Sequence, residues 1–269
     1  MTLPQSTPPG VRPMGPVNWI GLWGLCLKEV KRFLAVSVQT VVAPIVTTLL
    51  FLAVFSLALG RAMKLVAGVP FLEFLGPGLI MMAIIQNSFA NTSSSLISAK
   101  MQGNIVDMLM APLSPMELTA GYGIGGMIRG LLVGLMVGIS MVPFVSFGVH
   151  SVAHVLFYAV TSAAMLSLLG IIGGIWAEKH EQAALLTNLV IVPLAFLSGT
   201  FYSIERLPGA WNTAARLDPF FYMIDGFRYG FTGHAEAPLV IGYAIMVAGI
   251  LGLGTICWAM FKTGYRLRP

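Results

Sequence analysis

The sequence predicts an all-α integral membrane protein of six transmembrane helices, preceded by an amphipathic interfacial helix. Three observations predict it: a shortage of charge, six apolar runs long enough to cross a bilayer, and bases that, Arg129 apart, sit between or at the ends of those runs. Of 269 residues, 57% are hydrophobic and 9% charged, and the mean hydropathy is +0.86. A soluble domain carries roughly 25% charged residues. A larger core cannot absorb that deficit, because a surface facing water still needs polar cover. Most of this chain therefore faces lipid.

The elements follow in order. Residues 1–17 hold five prolines and read as a disordered lead with no cleavable signal pattern. Residues 18–35 have helical periodicity. Trp19, Trp23, Cys26, Leu27, Val30, Phe33 and Leu34 fall on one side, and Lys28, Lys31 and Arg32 elsewhere. An apolar stripe with Trp, opposed by bases, describes a helix lying in the membrane interface. An extended start to the first span is the alternative, disfavoured because four charges in hydrocarbon are costly. Residues 36–269 then form one six-span domain, with spans near 36–60, 75–99, 119–147, 152–176, 183–203 and 238–261. Each meets the ~20 helical residues that hydrocarbon demands.

The bases orient the spans. With both ends cytoplasmic, that side holds Arg12, Lys28, Lys31, Arg32, Lys100, Arg129, Lys179, Lys262, Arg266 and Arg268. The other side holds Arg61, Lys64, Arg206, Arg216 and Arg228. The excess inside agrees with an even number of crossings. Cys26 and Cys257 then lie near a reducing compartment and are expected as free thiols.

Two spans carry patterns beyond hydropathy. Gly126, Gly130, Gly134 and Gly138 make three GxxxG steps on the third span, a close-packing signal within the subunit or between subunits. On the second span Asn87, Asn91, Ser94, Ser95 and Ser98 share an arc of about 100°. Polar groups in lipid need partners, so this face meets other helices or lines a hydrated path. Below the second span, residues 104–110 read as a short helix ended by Ala111-Pro112, suited to docking on a soluble partner or to simple connection. The charged turn Glu178-Lys179-His180-Glu181 also suits partner contact.

Several chemistries are missing. The sequence has no GxxxxGK[ST] phosphate loop, so this chain does not hydrolyse ATP by itself. HExxH, CxxC and GxSxG are also absent. His150 and His154, spaced i, i+4, lack a third metal ligand nearby. Arg129 is the exceptional charge in a span, expected near the cytoplasmic start of the third span where it can snorkel. With no carboxylate expected within a span, proton coupling is disfavoured and the energy must come from elsewhere.

Specific blocks narrow the family. Ala111-Pro112-Leu113-Ser114-Pro115-Met116-Glu117-Leu118-Thr119-Ala120-Gly121-Tyr122, running into Arg129-Gly130, resembles the cytoplasmic turn and third helix of type-2 ATP-binding-cassette exporter permeases. So do Pro193 to Phe201, Leu207-Pro208, and the block from Leu217-Asp218-Pro219 to Tyr229-Gly230. The likeness spans nearly the whole chain from the amphipathic helix onward and is nearest the bacterial six-span branch of drug and nodulation-factor exporter permeases. The family's usual Asn-Pro is Asp218-Pro219 here.

The resemblance implies an inner-membrane homodimer docked on two copies of a separate ATPase, which would bind ATP and magnesium; this chain would bind no cofactor and no nucleic acid. It nominates Lys28, Lys31, Arg32, Gln102, Asn104, Asp107, Met108 and Met110 for ATPase contact, joined by Glu178, Lys179, His180 and Glu181. It nominates Asn87, Asn91, Ser94, Ser95, Ser98, Phe196, Leu197 and Phe201 for the substrate route. Residues 202–238 would form short re-entrant helices between the fifth and sixth spans that cap that route externally, with Phe220 and Phe221 on an apolar face and Asp225 paired to Arg228 at i, i+3. Few charges and many apolar and aromatic faces point to an amphiphilic cargo such as a drug, lipid or lipid-linked sugar. A secondary transporter and an intramembrane enzyme are the rival readings.

Overall fold

A computed structural model describes residues 17–60, 65–66 and 68–267. The expected lead over residues 1–16 and the bases Arg12, Arg61, Lys64 and Arg268 lie outside the described residues. Among the described residues, six helical segments are long and apolar enough to cross a membrane.

The chain opens with α1 (Trp19–Leu34), capped by Asn18, whose Oδ1 accepts from Gly21 N at 2.9 Å. The first span combines a wide π turn (Val38–Val42) with α2 (Ala43–Leu59). A two-residue hairpin, β1 (Leu65–Val66) with β2 (Val69–Pro70), leads into α3 (Phe71–Met101). Then come α4 (Ile105–Met110), α5 (Pro115–Met141) and α6 (Val152–Trp176). The fifth span joins α7 (His180–Leu186), a second π turn (Thr187–Ile191) and α8 (Val192–Leu197). Two short helices, α9 (Gly209–Leu217) and α10 (Pro219–Thr232), precede the last span, α11 (Leu239–Thr263).

Several boundaries move for local reasons. The second span begins at Phe71 rather than near 75, because Pro70 at the end of the hairpin starts the helix. The third ends at Met141 rather than near 147, ahead of Pro143. The fifth ends at Leu197 because Gly199 (φ +79°) takes a left-handed turn that a helix cannot continue through. The hairpin was not foreseen.

The bundle is built around α3, whose most apolar stretch is 83% buried, against 11% for the first and last spans. Glycines make this possible. A Cβ at Gly130 would stand 1.9 Å from Ser88 Oγ and 2.9 Å from the Ile84 carbonyl, and one at Gly170 would stand 2.5 Å from the Phe89 carbonyl. The GxxxG ladder therefore holds α5 against α3 within one chain. Thr92 Oγ1 donates to Ser167 O at 2.9 Å, tying α3 to α6. Both cysteines are free and buried.

Candidate substrate cavity and coupling surface

Two regions gather the nominated residues: one end of the bundle, and a cavity beside α3. At the bundle end, Ser114-Pro115-Met116-Glu117 is a complete capping box with proline in the first turn. Glu117 Oε2 accepts from Ser114 N at 2.6 Å, and its Oε1 accepts from Asn18 N at 2.5 Å. One carboxylate thus fastens the start of α5 to the start of α1. Lys100 Nζ, at the end of α3, donates to the carbonyls of Ile175 and Ala177 that close α6. Arg266 Nη1 donates to Trp176 O at 2.9 Å. Lys28, Lys31, Gln102, Asn104, Asp107, Met110 and Glu178 to Glu181 are exposed there.

Two nominated coupling residues face inward instead. Met108 is buried because Tyr122, itself fully buried, donates its hydroxyl to the thioether at 2.7 Å. Arg32 is half-buried: its Nη2 meets Glu29 Oε2 at 3.1 Å, Asn91 O at 2.7 Å and Asn91 Oδ1 at 2.9 Å, and its Nη1 meets Ser94 Oγ at 3.2 Å. The faces of α1 also divide differently from the expectation. Leu25, Cys26, Glu29 and Phe33 pack inward, while Trp19, Ile20 and Trp23 point out.

Glu29 is the functional residue that sequence reasoning missed. It is fully buried and accepts from Ser95 Oγ at 2.6 Å as well as from Arg32. The signal was available: a polar arc on the second span needs partners, and an acid–base pair at i, i+3 on the preceding helix supplies them. Asn91 and Ser95, nominated for the substrate route, are consequently sealed against α1 rather than open. Ser98 Oγ lies 3.5 Å from His180 Nε2, toward the coupling end.

Asn87 and Ser94 do line a cavity of about 540 Å³. Its other walls come from Arg32, Thr40, Thr48, Phe51, Leu79, Met82, Gln86, Arg129 and neighbours. Arg129 lies midway along α5, about 21 Å from its first residue, which is too deep for the expected snorkelling. Its Nη2 donates to Asn87 Oδ1 at 3.2 Å. Above the cavity Phe196 and Phe201 pack with Phe51 and Phe55, the rings of Phe55 and Phe201 stacking at 4.3 Å. Phe201 is buried in that cluster, and Leu197 packs beside Ile204 and Phe221.

The segment between the fifth and sixth spans is held by backbone capture. Asp218 Oδ1 accepts from Phe220 N at 3.0 Å and its Oδ2 from Ser198 Oγ at 2.7 Å. Asparagine caps a helix equally well, which accounts for Asp218-Pro219 standing where the resembling permeases have Asn-Pro. Phe220 and Phe221 are buried, as their apolar face requires. The expected Asp225–Arg228 pair does not form. Arg228 Nε donates to Phe74 O at 3.1 Å and its Nη2 to Gly199 O at 2.7 Å, with the guanidinium 3.7 Å from the Phe74 ring centroid. Asp225 instead accepts from Glu236 N and Ala237 N. One carbonyl in the first turn of α3 and one in the turn that ends the fifth span, together with the Phe74 ring, hold Arg228 in place of a neighbour on its own helix. His154 bonds Ser151 and Tyr243, and His150 meets the Tyr229 ring edge-on.

Comparison with known proteins identifies the family. Residues 21–232 match the family model for the ABC-2 type transporter. The chain is 39% identical over 250 residues to "Inner membrane transport permease YadH" of Escherichia coli (strain K12), covering 93% of this chain and 98% of that protein. It is 24% identical over 242 residues to "Nodulation protein J" of Rhizobium meliloti (strain 1021), covering 89% and 87%. A second "Nodulation protein J", from Rhizobium leguminosarum bv. trifolii, is 25% identical over 236 residues, covering 82% and 84%.

Proposed function

The chain belongs to the ABC-2 type transporter family and is a multi-pass permease subunit without catalytic activity of its own; from that premise we propose that it works as a homodimer in the inner membrane, docked on two ATPase subunits, exporting an amphiphile. Membership implies an ABC ATPase partner. The observation that carries the rest is the Glu117 clasp. The first cytoplasmic turn and α1 are joined through one carboxylate, so a force applied to either is delivered to both. Lys28 and Lys31 on α1, Gln102, Asn104 and Asp107 in the segment after α3, and the Glu178–Glu181 turn are exposed.

Both termini are cytoplasmic in this reading. Nucleotide-driven closure of the ATPases pushes this end, and the spans tip between inward and outward arrangements. The permease contributes a conformational equilibrium rather than bond chemistry. The cavity beside α3 holds the cargo, and the phenylalanine cluster with the α9–α10 segment closes the outer side.

The test is capture followed by transport. Tagged permease in mild detergent should retain an untagged ATPase, and Lys28→Glu with Lys31→Glu should weaken that retention. Vesicles containing the permease alone should move no solute uphill. Uphill movement without nucleotide would overturn the proposal.

A further inference from the structure

The cavity beside α3 has a polar end and an apolar end, and its charge is unbalanced. The lining residues of α3 run from Leu79 and Met82 through Gln86 and Asn87 to Ser94, and hydrogen bonds set Arg129 beside Asn87 and Arg32 beside Ser94, so the Leu79 end is the apolar one. No carboxylate is among the lining residues. Glu29 answers Arg32 from behind, and the remaining contacts of Arg32 are filled by Asn91 and Ser94. Arg129 has no such answer. Its hydrogen bond goes to a neutral amide, and its buried Nε has no partner among the described residues.

A guanidinium stays charged at any physiological pH and offers five donors in a fixed fork. Held midway along a membrane helix with most of those donors unused, it is costly unless something negative arrives. We propose that Arg129 is the recognition residue for an anionic headgroup, and that the cavity takes amphiphiles whose phosphate or carboxylate sits against Arg129 while the apolar tail runs toward Leu79 and Phe51. Leu79 lies eight residues from Asn87 on α3, about 12 Å along the axis, room for a headgroup and the first part of a chain. A volume of about 540 Å³ suits a ligand of that size. The assignment rests on the exporter reading and sharpens it from any amphiphile to an anionic one.

The experiment uses purified permease in an uncharged maltoside detergent, with ligand binding read by native mass spectrometry. The probes are dodecyl phosphate, dodecyltrimethylammonium and inorganic phosphate. Dodecyl phosphate should bind saturably and at least about tenfold more tightly than the cationic amphiphile, the worth of one or two charge-assisted hydrogen bonds. Arg129→Gln should lose about tenfold of that affinity, and Arg129→Lys should keep part of it, holding the charge without the fork. Equal affinity of the wild-type protein for the anionic and cationic amphiphiles overturns the proposal, even if Arg129→Gln fails to fold. Inorganic phosphate binding as tightly as dodecyl phosphate overturns its amphiphile half. Capture of the ATPase, measured on the same preparations, reports separately on the exporter reading, because Arg129 is not among the residues proposed for ATPase contact.

Discussion

Replacing Glu29 by glutamine removes one charge from a sealed cluster while leaving its shape. Oε1 can still accept from Ser95, but an amide nitrogen now faces the guanidinium of Arg32 and the side-chain nitrogen of Asn91, 3.5 Å away in the native protein. Breaking one side of a fully buried pair costs about 3–5 kcal/mol. Arg32 is 30% exposed, so water screens part of the loss and about 2–3 kcal/mol is expected. For a chain of this size each kcal/mol moves the melting temperature by about 2–4 °C, giving a fall of about 5–10 °C. Fluorescence-detected size exclusion after heating in mild detergent measures it. The double variant Glu29→Gln with Arg32→Gln should recover at least half of the drop, since neither charge is then stranded. A single variant melting with the wild type, or a double variant melting below both singles, would refute the reasoning.

Three further outcomes are expected. Gly130→Ala should cost several kcal/mol and impair assembly, because the new methyl meets Ser88 and the Ile84 carbonyl, whereas Gly123→Ala, with open space around it, should be neutral or stabilising by up to about 1 kcal/mol; comparable melting of the two would contradict the packing account. Glu117→Ala should loosen α1 from the turn that precedes α5, two charge-assisted bonds being lost, and expose the Gly21 amide region to faster hydrogen exchange. Burial holds the carboxyls of Asp218 and Glu236 above the usual carboxylate range, against hydrogen bonds from Ser198 and Ile204 that pull them down. The folded form therefore binds protons more readily than the unfolded one, and its stability falls as pH rises through the raised range. Hydrogen exchange in α10, corrected for intrinsic rate, should be slower at pH 5 than at pH 7, and Asp218→Asn should flatten that dependence without unfolding the helix.

Hydropathy located the six spans because it counts only what lipid demands of each helix. It could not locate partners. The arc of Asn87, Asn91, Ser94 and Ser95 was visible as an anomaly, yet which helix answered it depended on how α1 rolls, and that was set by Glu29 rather than by the tryptophans. Arg129 was readable as an isolated charge, while its depth depended on where α5 begins, and the capping box at Ser114 settles that. Arg228 shows the limit most plainly. Spacing placed Asp225 within reach, but Arg228 bonds the Phe74 carbonyl at the start of α3 and the Gly199 carbonyl in the turn after the fifth span, both remote from α10 in the chain. Local pattern describes what a side chain needs; tertiary breaks decide who supplies it.

The first and fifth spans share one irregularity. In each, a π turn stands directly before a proline at the second position of the following helix, Val38–Val42 before Pro44 and Thr187–Ile191 before Pro193. A proline withholds one amide and crowds the carbonyl a turn earlier, and the widened turn makes room for it. The regular ladder is thus already interrupted at one level in both of these loosely packed rods. Bending there sacrifices fewer hydrogen bonds than bending anywhere else along them, so a hinge is already cut into each rod beside the column around α3, much as a shutter carries pins that its frame does not.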